Sequence, residues 1–459
     1  MLQLWSSRGA RTFLRIWFGQ LVSSIGSGMT SFAINVWIYQ RTHSTQQLAL
    51  MVMAATLPGI LISPLAGAAA DRWDRRWVMI FSAFGAGLST LFIAAGFFLG
   101  STQMWHIYLG VGGISFFAAF QWPACTAASS MLVVKELYAR ASGLWQFAQA
   151  ITLIAAPPLA VVLVPLIGIQ GVILGDFVTY LVAIATLVMV RIPKPEAAVI
   201  QHAVKPSFFN EVTAGWACIR DRQGLAQLMA FSAVVLFAIN MMQVLLVPLV
   251  LNVASVKALA MVISVATVGM VIGSVVMASW GGPQRRILGV LGSAFVLGLA
   301  LFLTGFQRAP VLIAVGLFVL GCVAPMGVGC AQAIWQTKTE PALQGRVFAL
   351  RGMVYQACLP MACLLAGPLV DKVFNPLLAV GGALAGTVGR ISGVGPGRGA
   401  GLLMTLMGVL SIVAATLGSL SPRFRRVEKE LPDVVISKAT PSKSSDHASE
   451  EIAEFADIT

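Results

Sequence analysis

Long apolar runs, separated by short clusters of charge, Gly and Pro, repeat along most of this chain. A helix that crosses lipid needs about 20 apolar residues at roughly 1.5 Å rise each. That length fits twelve stretches: 14–39, 48–70, 77–99, 106–128, 143–168, 170–190, 225–250, 258–279, 287–305, 310–334, 349–370 and 400–420. The pattern predicts an all-α polytopic membrane protein with twelve transmembrane helices. The fifth and sixth stretches meet at Pro165 to Gln170, and 376–394 is apolar enough for a partial or re-entrant segment. The opening RTFLRIWFGQLVSS has a positive flank, but its apolar run outlasts a signal peptide's core and has no clear small-residue cleavage site. It is expected to be a retained first helix.

Composition agrees, since 58% hydrophobic and only 10% charged residues exclude an ordinary soluble domain. The net charge of +13 does not point to nucleic acid, because the cations flank apolar stretches instead of forming a patch on a soluble domain. Anionic membrane lipids are the expected partners. With both ends on the same side, the segments on that side hold 24 Lys and Arg and the opposite segments 6, which places both termini in the cytoplasm.

The connection around 191–224, with Pro193, Pro195 and Pro206, divides the chain into bundles at 1–190 and 225–428, and the polar stretch 429–459 reads as a disordered cytoplasmic tail. The halves resemble each other weakly. The loop 71–76 corresponds to GPQRR at 282–286, and Arg140 with Gln149 parallels Arg346 with Gln356. Two pseudo-symmetric six-helix bundles can rock about a central site, and a monomer is the expected working unit.

Enzyme chemistry finds no foothold. GVGPGRG at 393–399 lacks the Lys and Ser/Thr of a phosphate loop, and its glycines fit a tight turn into the last helix. No HExxH, nucleophile elbow or deaminase signature is present. Cys125, Cys218, Cys322, Cys330, Cys358 and Cys363 have no CxxC spacing and read as packing residues, and the four histidines are scattered. No cofactor or metal is expected.

The most specific local signal is GAAADRWDRR, Gly67 to Arg76, between the second and third stretches. Asp71 can cap the next helix or pair with Arg75 or Arg76, holding two helices in one gating state. A solvated topology signal is the alternative. The loop resembles that of the major facilitator superfamily, G-x-x-x-D-R/K-x-G-R-R/K: Gly67, Asp71, Arg72, Arg75 and Arg76 match, and Asp74 replaces the usual glycine. That replacement, and VGPGRGAGLL at Val394 to Leu403, resemble the branch of enterobactin exporters and macrolide-efflux proteins. The resemblance spans about residues 10–425. It implies the two-bundle fold and export by proton antiport in a bacterial inner membrane, driven by the transmembrane proton gradient. The Gly-x-x-x-Gly-Pro signature of drug antiporters is missing from ITLIAAPPLAVVLV, which leaves coupling ion and direction open.

Polar side chains within the apolar stretches mark the candidate substrate pathway. Gln146 and Gln149 share a helix face, as do Asn240 and Gln243; Gln20, Asn35, Gln121, Gln332 and Gln356 add further amides. With Phe116, Phe117, Phe120, Trp122, Trp145 and Phe147, they suit a roomy site for an amphipathic small molecule. Hydrogen bonding between helices is the other explanation.

Asp176 is the sole acid well inside an apolar stretch. A carboxyl there is costly unless it is used, so it is the candidate proton-coupling residue, with Tyr180 one turn away and Gly175 expected to admit a neighbouring helix. A structural pair, or a water-bonded acid near the outer interface, is the alternative. Asp371, beside Lys372, is expected in an interfacial ion pair. The combined reading is a secondary transporter exporting an amphiphile, with import, or a non-transporting membrane receptor or scaffold, as alternatives.

Overall fold

The computed structural model describes residues 8–100, 102–133, 138–190, 222–307, 309–339, 341–379, 397–425 and 427–430, with isolated positions at 216, 220 and within 381–395. Its long elements are α1 Arg8–Thr42, α2 Thr45–Arg72, α3 Arg75–Phe98, α4 Met104–Leu132, α5 Tyr138–Val188, α6 Gln223–Leu251, α7 Val256–Trp280, α8 Arg286–Phe306, α9 Pro310–Lys338, α10 Pro341–Pro368 and α11 Arg398–Leu420. Two short turns follow, α12 Pro422–Arg425 and α13 Val427–Glu430.

Among the described residues the eleven long helices supply twelve membrane-length segments, because α5 is two spans. Gly168, at φ 73° and ψ 168°, breaks it between the two. A positive φ costs an L side chain and is open to glycine, so the chain reverses there without a loop. The helix α10 continues through a wider turn, Leu369–Phe374, to Leu377. Beyond it, residues 381–395 form turns among the described positions, with no membrane-length helix.

Packing follows the expected duplication. In the first half α1 packs on α5, α3 on α4, α2 on α4 and α3 on α5; in the second, α7 packs on α9, α8 on α9, and α8 on α11. The halves meet chiefly through α2 on α10 and α5 on α7. Twelve crossings put the starts of α1 and α6 and the end of α11 on one face, called here the terminus side; the other is the far side.

The cores show how the halves are joined. One cluster takes Phe32, Val36, Ala49 and Ala160 from the first bundle and Met241, Leu249, Leu301, Leu317, Ala362 and Leu403 from the second. All of these lie in the far-side parts of their helices. On the terminus side each bundle has its own core: Phe13, Met79, Ala124 and Leu187 in one, Leu228, Ile287, Trp335 and Phe424 in the other. Buried apolar area is the main cohesive term, at about 25 cal/mol per Å². The bundles are therefore fused at the far side and separate at the terminus side.

Candidate functional site

Between the separated halves lies a cavity of 620 Å³. Its walls are Thr56, Gly59, Ser63 and Ser115 of the first bundle, and Leu236, Asn240, Tyr355, Gln356 and Leu359 of the second. Mostly apolar surface with a few amides and hydroxyls suits an amphiphile. Asn240 is nearly buried and Gln356 exposed.

The other pathway candidates are dispersed. Gln121 Nε2 donates to Gln20 Oε1 at 2.7 Å, joining α4 to α1. That pair leaves Gln20 Nε2 and Gln121 Oε1 buried without partners. Asn35 donates to Ser31 O of its own helix at 2.8 Å. Gln146, Gln149 and Gln243 are exposed, and Gln332 accepts from Arg351 at 2.7 Å. Phe116, Phe117 and Phe120 pack on each other on α4, and Trp145 sits edge-on to Phe13. The Trp122 side chain lies outside the described residues.

The far side is sealed by polar contacts as well as by the shared core. Ser44 Oγ donates to Asp371 Oδ2 at 2.8 Å, and the backbone N–H groups of Thr45 and Gln46 reach its two oxygens at 3.2 and 2.9 Å. Asp371 thus caps the start of α2 from the opposite bundle, where orphaned N–H groups and the helix dipole favour an anion. The expected ion pair with Lys372 gives way to this cap. Asn252 also donates across the seam to the Tyr39 hydroxyl, and a Cβ on Gly367 would collide with the Gln46 backbone. Deeper in, Ser264 Oγ donates to Ile154 O at 3.0 Å.

On the terminus side Asp74, Arg76 and Glu428 make contacts within their own bundles. The cap of α3 is Asp74, whose Oδ1 accepts from Arg76 N at 3.0 Å; α2 runs on through Arg72, so Asp71 belongs to its last turn. Arg76 donates to Leu187 O at 2.9 Å and Val188 O at 2.6 Å, closing the end of α5, while Arg75 contacts the Met131 sulfur. The side chains of Gly67, Asp71, Arg72, Arg140 and Arg346 lie outside the described residues. The matching start of α8 has no acid of its own. Glu428 supplies one, accepting from Arg286 N at 2.8 Å, while Lys338 Nζ donates to Glu428 O at 2.6 Å.

Asp176 lies apart from the cavity, fully buried between α1 and the second span of α5. Its Oδ1 accepts from Ser27 Oγ at 3.0 Å, and Ser27 Oγ is 3.0 Å from the Tyr180 hydroxyl. Thr179 Oγ1 reaches the same carboxylate oxygen at 3.4 Å. Asp176 Oδ2 and Thr30 Oγ1 are both buried outside hydrogen-bond geometry, and Thr30 faces the carboxyl. The close helix approach is made by Gly26, where a Cβ would meet Asp176 and Thr179, and the space beside Gly175 is open. Sequence reasoning found the acid and Tyr180 by helical spacing but missed Ser27 and Thr30 on α1. It also missed the cap made by Asp371, although Ser44 and Thr45 at a helix start are a readable signal.

Comparison with known proteins now identifies the family. Residues 16–362 match the Major Facilitator Superfamily, and the chain belongs to it. It is 29% identical over 368 residues to macrolide efflux protein A of Streptococcus pyogenes, covering 79% of this chain and 90% of that protein. It is 23% identical over 347 residues to the enterobactin exporter of Shigella flexneri, covering 74% and 80%. A bacterial homologue of the lysosomal transporter Spinster, solved inward-facing and unoccupied, shares the fold at a TM-score of 0.67 and 13% identity, over 93% of this chain and 98% of the other. This chain is a membrane transporter and not an enzyme.

Proposed function

We propose that this member of the Major Facilitator Superfamily exports an amphipathic small molecule across a bacterial inner membrane by proton-coupled alternating access, working as a monomer with both termini cytoplasmic. The observation that carries the reading is the asymmetry of the cores. A cavity of 620 Å³ lies between bundles joined at one face and parted at the other. With 24 of 30 Lys and Arg assigned to the terminus side, that face is the cytoplasm and the cavity is open to it. Export from this state means loading from the cytoplasm, breaking the Asp371 cap, and closing the loops around Asp74 and Arg285 over the substrate. Relatives named for macrolide efflux and enterobactin export favour the outward direction.

Asp176 is the proposed coupling acid, and the proton is the counter-transported ion, moving inward as substrate moves out. Its second oxygen makes no hydrogen bond of good geometry, Thr30 is the hydroxyl beside the carboxyl, and no cationic side chain faces it among the described residues. A proton on Oδ2 would give that atom a donor role toward Thr30, and its loss would leave Ser27 and Thr179 holding a carboxylate. The two forms differ in how tightly α1 and α5 are held together, which is the coupling a rocking bundle needs.

The test is a panel of metabolites offered to energised inside-out vesicles with and without a proton gradient. Gradient-dependent uptake corresponds to cellular export. Uptake only in right-side-out vesicles would make the protein an importer, and no uptake of any compound, with unchanged cellular function when the bundles are crosslinked, would make it a scaffold.

A further inference from the structure

A second chamber, of 290 Å³, lies inside the second bundle. Its wall is almost wholly apolar, formed by residues such as Val235, Ile239, Val290 and Leu297, yet Arg351 opens onto it. This arginine is half-buried, and its guanidinium lies over the rings of Trp335, Phe348 and Tyr355 at 5.7, 4.9 and 5.6 Å. It gives one hydrogen bond, to Gln332, and no carboxylate stands beside it among the described residues. Beside it Trp335 Nε1 and the Tyr355 hydroxyl are buried close to each other, the hydroxyl also close to Ser232. Trp335 has no exposed surface at all.

An arginine that merely snorkels to the membrane edge extends its charge into water and lipid headgroups. This one turns instead into an aromatic wall next to an apolar chamber. A guanidinium offers five N–H donors in a fork, of which Gln332 takes one, so the chemistry that satisfies the rest is an acceptor with negative charge. The chamber is also not isolated: Leu236 and Tyr355 line both it and the central cavity.

We propose that the chamber at Arg351 binds the acidic group of an anionic amphiphile, a carboxylate or phosphate whose apolar body extends past Tyr355 into the central cavity. This rests on the export reading and narrows its substrate class. A basic amine in the same place would meet a fixed positive charge with nothing to neutralise it. The acidic group can come from a dissolved metabolite or from a lipid headgroup.

The full chain in phosphatidylcholine nanodiscs, titrated with naphthalene-acetate and its uncharged isostere naphthalene-acetamide, tests the site by equilibrium binding. The acid binds at least about tenfold tighter than the amide, as expected of a charge-assisted hydrogen bond. Arg351→Gln brings the acid down to the amide's affinity and leaves the amide unchanged, and Arg351→Lys keeps part of the difference. Equal affinities in the unaltered protein, or an equal loss of both ligands in Arg351→Gln, would overturn the site. The acid-to-amide ratio of the unaltered protein decides the matter if the variant does not fold. Competition by phosphatidylglycerol added to the nanodiscs would identify a lipid as the source of the anion, and absence of competition a dissolved one. Discrimination without gradient-driven uptake of the acid would keep the site and remove the export reading; gradient-driven export of other amphiphiles without discrimination would do the reverse.

Discussion

The carboxylate of Asp371, at the far end of α10, accepts the backbone N–H of Gln46 at 2.9 Å across the seam between the two bundles. With Ser44 and Thr45 it forms a cap that bridges the two bundles across the closed far side. Hydrogen bonds to a charged group contribute about 1.5–3 kcal/mol, enough to move a two-state population tenfold or more. Asp371→Ala is therefore expected to favour the opposite, outward-open state. Labelling of a cysteine placed at Thr56, on the cavity wall, by an impermeant maleimide from the far side should rise about tenfold. Unchanged labelling would make the cap a bystander.

Gly367 offers a second handle on the same seam. Its missing Cβ lets α10 lie against the Gln46 backbone, and a methyl group there would overlap it. Gly367→Ala should raise far-side labelling in the same direction as Asp371→Ala while leaving every charge in place. Opposite signs from the two substitutions would refute the shared seam.

The caps on the terminus side can be weighed against each other. Asp74 caps α3 from its own loop, whereas Glu428 caps α8 after a return through α11 to α13. Loss of a helix cap costs about 1 kcal/mol. Asp74→Ala and removal of the chain from Val427 onward should each lower the apparent thermal midpoint, the second by exposing the Phe424 and Trp335 core as well. Proteolysis should place the first loosening in the first bundle and the second in the second.

For Asp176, replacement by Asn keeps size and hydrogen bonding but cannot exchange a proton in the working pH range. Asp176→Asn should lose nearly all gradient-driven flux, by about tenfold or more, while equilibrium ligand binding persists, since the residue is remote from the cavity. Ser27→Ala, which removes one partner of the carboxylate, should weaken coupling less. Proton and substrate flux measured together in proteoliposomes separate these outcomes. Normal stoichiometry in folded Asp176→Asn would move the coupling role elsewhere.

What the sequence made legible was what repeats or stands alone. Span lengths, the reversal near Gly168 and the two-bundle division follow from apolar run lengths, and Asp176 is conspicuous because acids are so few in apolar runs. Partnerships between distant segments were not legible. Ser27 meets Asp176 across 149 positions and Ser44 meets Asp371 across 327, distances over which no helical period carries information. Reading Asp371 by its neighbour Lys372 failed because an acid at a helix end is drawn to exposed N–H groups of another helix as readily as to an adjacent cation. Arg351, one of the 24 terminus-side charges, was no more legible, because its aromatic surroundings come from α9 and α10 together.

The central claim is that the bundles alternate, one face sealing as the other parts. Spin labels on the exposed Arg41 and Lys372 read the far side, and labels on Trp73 and Gln284 read the terminus side. Pulsed electron paramagnetic resonance on the two pairs, in proteoliposomes before and after a proton gradient is imposed, measures both openings in one protein. The account predicts a short far-side and long terminus-side distance at rest, and opposite shifts under the gradient, the first lengthening as the second shortens. Two distances that stay fixed, or that lengthen together, would contradict it.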